Sequence, residues 1–169
     1  MRAGVALGSN LGERVANLRN ARKDISALSG VLPPVRSSAI YETDPIGCEP
    51  GAGKFLNAVL EFDYEGDPAE LLAELGRIEE SLGRARNHLP NLSRKIDIDL
   101  LYCGNLKIDN EQLQLPHPRM HLRKFVLQPL AKIRSEMVLP NQTKTVRELL
   151  AQLDESAKVI RLSDDWGSQ

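Results

Sequence analysis

The chain has 169 residues, enough for one domain whose core needs no disulfide or metal staple. Hydrophobic residues make up 41% and charged residues 27%, a mixture that excludes a wholly disordered chain. With 22 basic and 23 acidic side chains the formal net charge is -1, so no overall basic surplus marks a nucleic-acid binder. No stretch approaches the ~20 apolar residues of a membrane span, and the N-terminal apolar run is too short for a signal peptide. Cys48 and Cys103 form neither a CxxC pair nor a metal-ligand set; they read as reduced thiols, and the chain is expected to be cytoplasmic.

Residues 2–7 are small and apolar and stop at Gly8-Ser9-Asn10, which reads as a buried strand ending in a turn. Val15, Leu18, Ile25 and Leu28 recur at helical spacing, predicting a helix over about 12–28 that Gly30 and Pro33-Pro34 end. Residues 35–42 read as a second strand, and the turn-rich stretch 43–53 as a long functional loop. Alternation makes 54–64 a strand, with Leu56, Ala58, Leu60 and Phe62 on one face and Phe55, Asn57, Val59 and Glu61 on the other. Asp67-Pro68 opens a helix with the stripe Leu71, Leu72, Leu75, Ile78 and Leu82, closed by Gly83. Residues 84–95 are irregular, 96–102 read as a strand and Gly104-Asn105 as a turn. Short extended pieces around Lys107 and 113–115 precede a stop at Pro116-His117-Pro118. A helix over about 125–133 containing Pro129 and a last helix over 146–153 follow, and the tail from Ser163 reads as frayed. The order strand, helix, strand, strand, helix, strand predicts an α+β fold, a ferredoxin-like βαββαβ core with a C-terminal extension, as one domain over 1–169.

Asp97 and Asp99 alternate with Ile96, Ile98 and Leu100, so both carboxylates share one strand face while the apolar residues anchor the other. Carboxylates held side by side repel; one magnesium ion, or two, relieves the repulsion and still takes water and phosphate oxygens. The plain alternative is a solvated strand face. Arg84, Arg86 and Arg94 upstream and His117, Arg119 and Arg123 downstream bracket the pair. That bracket favours a triphosphate, whose remaining charge guanidiniums take bidentately. Arg84 alone reads as well as a helix C-terminal charge. Phe55 and Asn57 share a face, a ring beside a carboxamide that suits a heteroaromatic ligand, although a core ring beside a surface amide is the commoner arrangement. Phe125 is a candidate second ring.

In order and spacing these residues resemble the 6-hydroxymethyl-7,8-dihydropterin pyrophosphokinases of folate biosynthesis. The markers are Gly8-Ser9-Asn10-Leu11, Tyr41-Glu42-Thr43-Asp44-Pro45-Ile46-Gly47, Phe55-Leu56-Asn57-Ala58, and Glu79 followed by Gly83-Arg84-Ala85-Arg86. Arg94-Lys95-Ile96-Asp97-Ile98-Asp99-Leu100, Pro116-His117-Pro118-Arg119 and Arg123-Lys124-Phe125-Val126-Leu127 complete the set, over about 3–153. The resemblance implies an ATP-dependent diphosphotransferase that moves the β,γ-pyrophosphoryl group to a pterin hydroxyl and releases AMP. It implies that Asp97 and Asp99 hold two magnesium ions and act catalytically with Arg84 and Arg94. Glu79, Arg84, Arg86, Arg94, His117 and Arg123 would line ATP. Thr43, Asp44, Ile46, Phe55, Asn57, Asp97 and Phe125 would line the pterin, sandwiched between the two rings. Loops over about 44–53 and 84–93, the latter carrying Arg86, are expected to close over the site. ATP and the pterin are the expected partners, with no nucleic acid and no membrane, and the chain is expected to act as a monomer. It departs from the family pattern at Pro90-Asn91-Leu92-Ser93, where a Trp-Gly-Pro-like stretch is usual, at Phe55 (commonly tyrosine) and at Asp44 (commonly proline). Two rival readings are a non-catalytic ferredoxin-like binding module and another D-x-D nucleotidyl- or glycosyltransferase.

Overall fold

The structure, a computed structural model, describes residues 1–45, 48–83, 93–154 and 158–166. In chain order its elements are β1 (Arg2–Ser9), α1 (Arg14–Ser26), β2 (Val31–Ser37), β3 (Ile40–Thr43), β4 (Phe55–Tyr64), α2 (Pro68–Ser81), β5 (Asp97–Cys103), β6 (Ile108–Asp109) and β7 (Gln114–Leu115). A 3-10 turn (Met120–Leu122), α3 (Lys124–Arg134), α4 (Val146–Ala151) and β8 (Val159–Ser163) complete them. The main sheet has the order β5-β1-β4-β3-β8, with β2 also on β4, and its pairings are antiparallel. The fold is the expected ferredoxin-like α+β arrangement.

The two faces of the sheet bury different cores. Alternate strand residues Val5, Leu7, Leu56, Ala58, Leu60, Ile98 and Leu100 meet Leu18 and Ile25 of α1 and Leu71, Leu75 and Ile78 of α2. The opposite face sets Val59 and Leu101, with Tyr102 beside them, against Val126, Leu127 and Leu130 of α3 and Val146 and Leu149 of α4. Each fully buried aliphatic side chain contributes about 1.5–3 kcal/mol. The helices form where their ends are satisfied. Asp67 caps α2 by accepting the Ala69 N–H at 2.8 Å, and Gly83, at φ +97°, ends it. Thr145 and Glu148 form a reciprocal capping box on α4.

β5 carries a bulge that matters for the site. Val5 faces Leu100 and Gly4 faces Tyr102, so Leu101 is an extra residue. Leu101 and Tyr102 thus both enter the α3 core, while Asp97 and Asp99, before the bulge, keep strict alternation. A side chain on Gly4 is excluded, since its Cβ would lie 2.2 Å from Tyr102 Cε1.

Several sequence expectations change. β1 continues through Gly8 and Ser9 rather than turning there. The strand expected over 35–42 is two strands, because Ser38 bonds Val59 through its own Oγ at 3.0 Å as well as through its backbone. Pro33-Pro34 lies within β2, where the register with β4 shifts, instead of ending the previous element. The pieces near 107 and 113–115 pair as the β6–β7 hairpin. The tail from Ser163 is not frayed as far as Trp166. That ring is 4% exposed, its Nε1–H donates to Ser38 O at 2.8 Å, and its carbonyl accepts from Arg19 Nε at 2.7 Å.

Candidate active site

Residues directly opposite in antiparallel strands share a face. On the α3 side the registers set Tyr41, Asn57, Gly8 and Asp97 in one row, with Val59, Ala6 and Asp99 in the next. Phe55, opposite Thr43, stands beside the first row. Beyond the core formed with α3, Phe55, Asp97 and Asp99 are partly exposed around the buried Gly8 and Asn57, and we read this end of the face as a candidate cleft with Gly8 at its floor. A Cβ there would lie 3.4 Å from Asn57 Oδ1 and 3.8 Å from both Asp97 Cβ and Phe55 Cδ1.

Each aspartate is paired with an arginine from a different segment. Arg94 Nη2 lies 3.3 Å from Asp97 Oδ2, and Arg123 Nη1 lies 3.1 Å from Asp99 Oδ2. The same guanidiniums cover the two rings, Arg94 over Phe55 at 5.8 Å and Arg123 over Phe125 at 5.5 Å. Arg94 Nε is buried and has no hydrogen-bond partner among the described residues. Asn57 donates from Nδ2 to Thr43 Oγ1 at 2.8 Å, which leaves its Oδ1 facing Gly8.

Glu79 reaches β5 from α2: its Oε1 accepts the Ile98 N–H at 2.6 Å. β5 is an edge strand, so this carboxylate supplies a partner that the sheet does not, midway between the two aspartates. His117 donates its backbone N–H to Leu101 O at 2.7 Å, and its Nδ1 accepts the Arg119 N–H at 3.2 Å. A neutral ring there carries its proton on Nε2. Burial lowers the pKa of His117 against the opposing pull of Asp99, so the neutral form is favoured. Asp44 is exposed, with its Oδ1 3.5 Å from Lys54 Nζ. Arg84, Arg86 and Ile46 lie outside the described residues, as do Pro90, Asn91 and Leu92.

A cavity of about 400 Å³ adjoins Asp99 and His117. Leu72, Ile98, Leu100 and Leu113 give it apolar walls, and Asn110, Gln112 and Gln114 of the β6–β7 hairpin give it polar edges. Sequence reasoning missed this hairpin pocket and the floor at Gly8. Both depend on which strands lie side by side, and only the Gly8-Ser9-Asn10 motif hinted at the second. A larger cavity, about 480 Å³, is lined by Arg2, Glu61, Tyr102 and Arg134 and shares no residue with the cleft. Among the described residues no group of three or more His, Cys, Asp or Glu is arranged to hold a metal by itself. The two carboxylates need further oxygens from elsewhere to complete a magnesium shell. No helix of the described residues is long and apolar enough to cross a membrane.

A ferredoxin-like sheet that carries carboxylate–guanidinium pairs beside a cavity of about 400 Å³ suits an enzyme of polyphosphate substrates. The family model described as 7,8-dihydro-6-hydroxymethylpterin-pyrophosphokinase matches residues 4–135, and the chain belongs to that family. It is accordingly a pyrophosphokinase. The 2-amino-4-hydroxy-6-hydroxymethyldihydropteridine pyrophosphokinase of Haemophilus influenzae is 41% identical over 159 residues, 94% of this chain and 96% of that protein. The Bacillus subtilis protein of the same name is 44% identical over 129 residues, 76% of this chain and 75% of its own. Among solved structures, a Plasmodium falciparum HPPK-DHPS superposes with a TM-score of 0.68 at 15% identity, over 89% of this chain and 45% of that one. That likeness bears on the fold alone, and this chain spans less than half of that longer protein.

Proposed function

We propose that the cleft receives two substrates side by side, the pterin in the row of Asn57, Gly8 and Asp97 and ATP across Asp99, His117 and the hairpin cavity. The chain transfers pyrophosphate from ATP to hydroxymethyldihydropterin in folate synthesis. The observation that carries the arrangement is the pair of adjacent rows: Asp97 stands with the ring-and-amide face, and Asp99 stands with the cavity of about 400 Å³.

In this reading Phe55 and Phe125 stack the pterin, Asn57 Oδ1 accepts from its edge, and backbone groups near Thr43, Asp44 and Ile46 complete the wall. Arg94 and Arg123 take the charge of the phosphates, joined by Arg84 and Arg86, neutral His117 donates to them from Nε2, and Glu79 keeps β5 in place beside them. The buried, unpartnered Nε–H of Arg94 supports a phosphate oxygen as its acceptor. The pterin hydroxymethyl oxygen bonds to the β-phosphorus, the bond from that phosphorus to the α,β-bridging oxygen breaks, and AMP leaves as the hydroxyl proton is lost. Positioning and charge neutralisation dominate such a transfer. Asp97 and Asp99 fit as holders of two magnesium ions, since paired carboxylates with phosphate and hydroxyl oxygens are the donor set magnesium takes. The chemistry magnesium would supply there is neutralisation of phosphate charge and a more acidic hydroxyl.

The same reading takes the chain as a monomer that works on small molecules in the cytoplasm, with no nucleic acid or membrane as partner. A single domain over 1–169 is supported by β8, which returns to pair with β3 in the main sheet. Product analysis with magnesium, ATP and 6-hydroxymethyl-7,8-dihydropterin tests the reading. AMP and pterin diphosphate should form in equal amounts. ADP, free pyrophosphate, or no product from folded protein would overturn it.

A further inference from the structure

Asn10, at the end of β1 and 6% exposed, ties the short segment before β5 to the rest of the cleft. Its N–H donates to Arg94 O at 3.1 Å, and its Oδ1 accepts the Arg94 N–H at 2.7 Å. Its Nδ2 donates to Gly53 O at 3.3 Å and to Ser93 Oγ at 3.1 Å. From the facing loop, Glu49 Oε1 accepts the Ser93 N–H at 2.8 Å. Bonds to Ser93 hold the Glu49 carboxyl below the usual range. Its other oxygen, Oε2, is buried without a hydrogen-bond partner among the described residues.

We propose that Glu49 is a positioning residue: by holding the Ser93 N–H while Asn10 holds the backbone of Arg94, it fixes where the Arg94 guanidinium lies between Asp97 and the Phe55 ring. This rests on the reading that Arg94 meets the phosphates. The device needs a donor N–H at residue 93, which a proline does not have. Ser93 is therefore as much a part of it as Glu49. What Glu49 supplies is an acceptor at a fixed place. Its charge is secondary, because Arg94 is already opposed by Asp97 at 3.3 Å.

Glu49→Ala and Ser93→Pro remove the bond from opposite ends. Each should weaken binding of a non-hydrolysable ATP analogue about tenfold, as when one hydrogen-bond partner is removed and the other is left unmet. The double variant should bind no worse than the weaker single one, because both remove the same interaction. Glu49→Gln, which keeps the acceptor, should bind within about twofold of the unaltered chain, and Ser93→Ala, which keeps the N–H, should fall between. The same order should appear in KM for ATP, with kcat changed less. Additive losses, an unchanged Glu49→Ala, or a Glu49→Gln as weak as Glu49→Ala would overturn the proposal. If Ser93→Pro does not fold, the contrast between Glu49→Ala and Glu49→Gln decides alone. Calorimetric binding of the analogue is read separately from AMP release. An active enzyme indifferent at Glu49 defeats only this proposal, and an inactive folded enzyme defeats the functional reading.

Discussion

Asp97 and Asp99 lie on one face of β5 because strand side chains alternate, and Ile98 between them is locked into the α1–α2 core, 6% exposed. Their carboxylates are partly open to solvent, 22% and 35%, and their partners come from the segments on either side. Asp97→Ala and Asp99→Ala should each lower kcat by about a hundredfold or more, as when a charge-stabilising group is removed from an active site. Thermal unfolding should shift by only a few degrees; a large loss of stability would show a structural role instead. Cys103 gives a second test at this scale. Burial pushes its thiol up to about 11, and the residue is fully buried. It should resist a thiol reagent at neutral pH in the native state and react once the chain unfolds. The identities of the aspartates, arginines and rings were legible in the sequence, because period-two alternation and local clustering are local properties. Their pairing was not. That Arg94 meets Asp97 while Arg123 meets Asp99, and that Gly8 lies between Asn57 and Asp97, follows from register between distant strands.

At the scale of elements, α1, β4, α2 and β5 carry their own signals and lie within a few residues of where periodicity and capping put them. β8 does not. Ile160 and Leu162 are exposed on it, and it exists because Val159–Ser163 pairs with β3 and Trp166 then docks on Ser38 and α1. Trp166→Ala should cost about 3 kcal/mol, as for a large buried aromatic, read as a lower denaturation midpoint with the pterin site still active. Glu61 is another element-level feature that alternation placed on the correct face without revealing its role. It is 1% exposed, accepts from Arg134 Nε at 2.8 Å and from Tyr102 Oη at 2.9 Å, and so joins β4, β5 and the end of α3. Glu61→Ala should destabilise by about 2–3 kcal/mol, because it strips a partner from a partly buried guanidinium and a buried phenol. KM for either substrate should be unchanged, since the cavity beside Glu61 shares no residue with the cleft.

For the whole molecule, carboxylates set the response to acid. Glu49, Asp63, Glu148 and Asp164 are all held below their ordinary values, respectively by Ser93, Arg2, Thr145 and Arg161. Groups lowered by folding add stability above their unfolded values of 4.5 for Glu and 3.8 for Asp, and that stability is lost as pH falls through the folded values. The thermal midpoint should therefore begin to fall as pH drops through about 6.5, where unfolding lets His117 take a proton that the folded ring resists, and fall further below about pH 5 as these carboxylates protonate. The global fold was legible because strand and helix order alone specifies a ferredoxin-like core. The hairpin cavity and the Glu49–Ser93–Asn10 contacts were not, since they arise only when segments far apart in the chain close around one cleft. The central proposed step is attack at the β-phosphorus of ATP by a pterin held beside Asp97. ATP labelled separately at each phosphorus tests this most directly. Labels at the β and γ positions should both appear on the pterin and the α label should remain in AMP, with transfer lost in Asp97→Ala and Asp99→Ala. Movement of the γ label alone, leaving ADP, or undiminished transfer by either variant, would contradict it.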